Sequence, residues 1–151
     1  MVEMARLKFS HVHQHRGIQR LSCIDSLILA VAKNTSMSIE KKFSSTYHLE
    51  VGGDLGAPAS IYYFPGADRE SGKDGVLVEV FNAKGENWTG VFAFGSFSPK
   101  GITGVYHLPD ESRFCVVSKG DGYIVNANDP SDWQEISLIP ILDVCLSLIH
   151  I

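Results

Sequence analysis

At 151 residues the chain has the length of one ordinary domain, and its 44% hydrophobic and 20% charged residues are a globular composition that excludes a disordered chain. A formal charge of −4, from 13 Lys plus Arg against 17 Asp plus Glu, argues against a dedicated nucleic-acid or anionic-membrane surface. Three widely spaced cysteines, Cys23, Cys115 and Cys145, offer neither a disulfide framework nor a CxxC metal knuckle.

Charge divides the chain. Residues 1–43 hold seven basic and three acidic side chains, whereas residues 44–151 hold six and fourteen, a balance of −8, together with nearly all the aromatics. A boundary near 37–44 follows. The first stretch has one apolar run, Leu21 to Ala32, which follows positive charge and ends Ala30-Val31-Ala32, in the manner of a signal-peptidase site. Asp25 and two serines interrupt it, and it is shorter than the roughly 20 apolar residues of a membrane span, so a short helix is the other reading. A third reading starts the natural protein at Met37, with residues 1–36 as upstream frame. At the far end, 145–151 (CLSLIHI) resembles translated sequencing-adapter read-through and is set aside as a non-native tail.

From Ser45 onward, runs rich in Val, Ile, Tyr, Phe and Thr alternate with Gly, Asp, Asn and Pro, which predicts strands at about 45–51, 58–64, 75–82, 88–94, 103–108, 113–118, 121–127 and 136–144. In 76–81 (VLVEVF) the even positions are apolar and Glu79 falls on the odd face, so one face is buried and the other partly wet. The polar loop 82–87 joins this strand to the next as a hairpin. Two further hairpins follow, with Pro109-Asp110 at the first corner and Gly120 and Gly122 supplying positive φ at the second. Asp129 to Trp133 predicts one helical turn, with Asp129 as N-cap, Pro130 at the first helical position and Trp133 folded back onto the sheet.

The segments LVEVFNAKGENWTGVFAFG, TGVYHLPDESRFCVVSKGDGYIV and NDPSDWQEISLIPILDV, within 75–144, resemble the amino-terminal half of an uncharacterised family of bacterial all-β, propeller-like proteins. The resemblance covers about half the chain and implies architecture only, for it carries no activity, ligand or catalytic residue.

Few residues invite chemistry. His11, His13 and His15 would share one face of a strand, where imidazoles gather a metal ion, but no Cys or carboxylate completes the set and Arg16 repels a cation. His48 and His107 fall on strands without a nucleophile placed beside them. Gly101, Gly104, Gly120 and Gly122 precede no helix and so read as turn glycines, not a phosphate cradle. Asn126, Asn128, Asp129 and Asp132 gather oxygens but lack the calcium-loop glycine and glutamate. Among the aromatics, Tyr62, Tyr63 and Trp88 are the candidate ligand contacts, provided they prove exposed together.

These readings predict an all-β antiparallel meander, propeller-like or a β-sandwich fragment, over 37–144, with a short N-terminal helix as an option. The expected role is a non-catalytic binding or protein-interaction module of a bacterial cytoplasmic protein, with no cofactor, no metal, no nucleic acid and no membrane. The alternative is a hydrolase in which Asp110, Glu111, Asp121 and Asp129 converge as paired carboxylates. A third reading is an incomplete fragment without independent function.

Overall fold

A computed structural model describes residues 3–10, 39–40, 43–52, 60–70, 75–96 and 99–150. The signal-like run 21–32, the histidines at 11, 13 and 15 and the start at Met37 lie outside them. The described residues form strands and no helix: β1 (Glu3–Ser10), β2 (Ile39–Glu40), β3 (His48–Val51), β4 (Ile61–Tyr63), β5 (Gly75–Phe81), β6 (Asn87–Ala93), β7 (Gly104–His107), β8 (Arg113–Ser118), β9 (Asp121–Asn126), β10 (Asp129–Ile136) and β11 (Asp143–His150).

Two sheets carry the fold, one ordered β10-β9-β8-β7-β2 and the other β3-β5-β6-β4, while β1 pairs with β11 as a separate antiparallel ladder. Neighbouring pairs are antiparallel except β2 on β7 and β4 on β6, and neither sheet closes into a barrel among the described residues. The all-β antiparallel reading therefore stands.

The expected alternation governs β5, where Val76, Val78 and Val80 are buried and the odd positions are half-buried. Those valines join Leu49, Trp88 and Phe92 of one sheet to Val105, Phe114, Val116 and Val125 of the other, so the main core lies between the sheets. Ser118 Oγ donates to Phe92 O (3.1 Å) and Trp88 Nε1 to Ala127 O (2.9 Å), tying the layers with polar bonds at both ends.

Central β8 is buried on both faces, as its unbroken 114–117 run (FCVV) requires. Phe114 and Val116 face the other sheet. Cys115 and Val117 face outward into a second core with Leu108, Ile136 and Ile141. The chain crosses that outer face after β10: Ile141 N–H donates to Gly120 O (2.8 Å), Gly120 N–H to Ile102 O (2.9 Å) and Ile102 N–H to Ile141 O (3.2 Å).

The turns differ from expectation in detail. Ser118 pairs with Asp121 around Lys119 (φ 48°) and Gly120 (φ 94°), a two-residue loop with both central φ positive, whose twist matches the flanking strands. Gly122 is not a turn residue. It lies within β9, where a Cβ would fall 2.4 Å from Ile141 Cδ1 and 2.8 Å from Ile136 Cδ1. The helical turn expected at 129–133 is instead the start of β10. Asp129 Oδ1 accepts from Ser131 N–H (3.0 Å) and Ser131 Oγ–H (2.6 Å) in a local turn, and the register slips between Asp129 and Trp133 before pairing resumes. Nor is 136–144 one strand: β10 ends at Ile136 and β11 begins at Asp143.

Candidate functional site

On one side of the sandwich β4 and β10, the edge strands of the two sheets among the described residues, come together at a seam. Tyr62 sits opposite Gly90 in the β4–β6 pairing, so it shares the inner face with Trp88 and Phe92. Trp133 sits opposite Val125 in the β9–β10 pairing and also faces inward, as does Glu135 opposite Tyr123. Across this seam Phe64 meets Trp133 edge-on (5.8 Å, 76°), and Tyr123 Oη–H donates to Pro65 O (3.2 Å).

This geometry sorts the aromatics. Tyr62 is 39% exposed and stands edge-on to Trp88 (5.6 Å, 80°). Trp88 is only 4% exposed and its indole N–H is already given to Ala127 O, so it is the floor beneath Tyr62. Tyr63 is 42% exposed, but as the next residue of β4 it points to the opposite face beside Val91. Of the three residues singled out from the sequence, the seam between the sheets brings together Tyr62 and Trp88 and leaves Tyr63 outside.

The residue missed was Trp133, 38% exposed and held edge-on by both Phe64 and Tyr123 (6.1 Å, 66°). A period-two reading of 133–136 would have found it, together with Glu135 two positions on. Sequence reasoning assigned 129–133 to one helical turn instead. Trp133 does return to the sheet as expected, from a strand.

Asp121 does not converge with the other three turn carboxylates. Asp110, Glu111 and Asp129 lie at the end of the five-stranded sheet where β8 begins and β9 finishes, and Asp121 lies at the other end. Five residue steps of β8 separate the two ends, about 17 Å at about 3.3 Å per residue, beyond the reach of a carboxylate pair acting on one glycosidic bond. Bonds from Ser112 N–H and Oγ–H hold the Asp110 carboxyl below the usual carboxylate range, and Ser131 does the same for Asp129. Asp121 alone is pushed up, by burial and then by the charge of Glu135.

Of the remaining oxygens, those of Asp132 and Asn126 are committed to structure, while Asn128 Oδ1 is buried without a hydrogen-bond partner among the described residues. Asp132 Oδ2 accepts from Arg113 Nη2 (2.9 Å) and Asn126 Nδ2 (3.0 Å), and Asn126 Oδ1 accepts from Asn128 N–H (3.0 Å), so these oxygens brace the β9–β10 turn. Among the described residues no three His, Cys, Asp or Glu side chains come together as a metal site. His107 is buried and stacks on Tyr47 (5.0 Å, 6°), while His48 is exposed beside Glu50 (3.4 Å). Burial pushes the Cys115 thiol up to about 12, which leaves it a core side chain and not a nucleophile. Burial likewise pushes the Tyr123 phenol up to about 12, with Asp121 and Glu135 adding to it. No helix of the described residues is long and apolar enough to cross a membrane. Set beside protein-family models, curated proteins and solved structures, the chain matches none.

Proposed function

We propose that the domain is a non-catalytic binding module that takes an extended peptide along the seam between β4 and β10. The observation carrying this reading is the pair Tyr62 and Trp133, two large aromatics more than a third exposed on one seam, each braced edge-on by buried rings. Rigid aromatics give large contact area at little cost in conformational entropy, which is why they dominate binding hot spots. Among the described residues both flanking strands are the outer members of their sheets, and an outer strand offers backbone donors and acceptors to an added strand. Asp121 stands about 17 Å from the end of the sheet that holds Asp110, Glu111 and Asp129, which weighs against a hydrolase that uses all four.

A random hexapeptide library selected on the wild-type chain tests this. Enriched peptides are expected to lose about 30-fold in affinity against Trp133→Ala, the size of a hot-spot loss of about 2 kcal/mol, and to weaken against Tyr62→Ala. Enriched peptides that bind both variants as well as wild type would overturn the reading.

A further inference from the structure

Beyond Trp133 the seam runs into an end where four chain segments meet: Phe64-Pro65 leaving β4, Phe94-Gly95 leaving β6, the β8–β9 turn and the close of β10. Asp121 opens β9 on the inner face, against Gly95, where an added Cβ would fall 2.8 Å from Oδ1. That Oδ1 is buried and has no hydrogen-bond partner among the described residues. Glu135 lies on the same face, two residues past Trp133 and thus about 7 Å along the strand. It is near enough to disfavour ionisation of Asp121, and no basic side chain pairs with either carboxylate among the described residues.

Asp121 is half-buried with one oxygen lacking a donor, beside the exposed carboxylate of Glu135, and its charge is relieved either by a proton or by an arriving cation. The cation must also suit an indole. A guanidinium does both, stacking its plane on an aromatic face while its fork of N–H donors reaches carboxylates, whereas a sugar would leave both charges uncompensated. The −8 balance of residues 44–151 favours approach of a basic segment over an acidic one.

We infer that the seam takes an arginine side chain of an extended basic peptide, its guanidinium stacked on Trp133 and held by Asp121 and Glu135. The inference rests on the peptide-binding reading and names its ligand chemistry. The test uses two fluorescein-labelled hexapeptides of sequence Ser-Val-X-Val-Ser-Gly, X being arginine or its neutral isostere citrulline, in fluorescence polarisation against the full chain at low and high salt. The arginine peptide is expected to bind at least tenfold tighter than the citrulline peptide, with the gap closing in high salt. Glu135→Gln, an exposed change that keeps the side-chain size, is expected to remove most of that preference, and Asp121→Asn with Glu135→Gln all of it.

Equal binding of both peptides, lost in Trp133→Ala, would overturn the arginine assignment and leave the aromatic seam standing. An arginine preference that persists in the double variant would place the guanidinium elsewhere and overturn the assignment as well. Binding of neither peptide would overturn the assignment together with the reading beneath it.

Discussion

Truncating Ile141 to alanine probes whether the crossing after β10 is part of the packed fold. Ile141 is fully buried on the outer face of the five-stranded sheet, with Cys115, Val117 and Ile136 around it. Losing three buried carbons at about 0.8 kcal/mol each gives about 2.4 kcal/mol, and the cavity left behind raises the total to about 3–4 kcal/mol. With a urea m-value of about 1.5 kcal/mol/M, the unfolding midpoint should fall by about 2 M. A second substitution tests the same contact from the β9 side. Gly122→Ala alone places its Cβ 2.4 Å from Ile141 Cδ1 and should cost about 1–3 kcal/mol by overpacking. In the Ile141→Ala background that methyl enters the vacated space, with Ile136 Cδ1 as its remaining close neighbour, so the double variant should be more stable than the sum of the two by about 1–2 kcal/mol. Urea unfolding of the four proteins, followed by circular dichroism, measures the cycle. Strict additivity, or an Ile141→Ala loss under about 0.5 kcal/mol, would refute the packing of this crossing against β9.

Other changes report on different parts of the molecule. Lys119 holds φ 48° in the β8–β9 turn, so Lys119→Asn, which gives the Asn-Gly pair this turn favours, should raise stability by about 0.5 kcal/mol in thermal unfolding. Trp88→Phe removes the donor to the carbonyl of Ala127 and should cost about 1–3 kcal/mol by urea titration, without altering strand content by circular dichroism. Asp121 has a raised pKa in the folded state, so between its unfolded value near ~3.9 and the folded one the native protein keeps a proton that the unfolded chain has lost. Its contribution to stability therefore declines as pH rises through that window. Asp121→Asn should accordingly melt higher than wild type at pH 7, and the two melting temperatures should converge below pH ~4.

The sequence made the main core legible because burial there follows local pattern. Alternation in 76–81 marks the inner face of β5, while the double coverage of β8 over 114–117 shows only in the structure. The seam was harder to read. Asp129-Pro130 satisfies the rules of a helix start, and only the requirement that Trp133 and Glu135 lie opposite Val125 and Tyr123 keeps the segment extended, which is a tertiary demand. The apolar stretch 138–142 reads as strand but serves as a cover, because what matters there is one isoleucine over Gly122 and not a ladder. Aromatic content could not separate Trp88, which lies under Tyr62, from Trp133, which reaches solvent. That difference is set by the β3-β5-β6-β4 order, in which β4 lies beside β6 with β5 intervening in sequence only.

The reciprocal bonds among Ile102, Gly120 and Ile141 have a kinetic consequence. Hairpin tips are ordinarily the first places to fray, yet here each of three strand-flanking segments both gives and receives a bond, so none can lift away without breaking two. The tip is latched. The amide hydrogens of these three residues should accordingly exchange with solvent as one set, at a rate governed by opening of the whole outer layer.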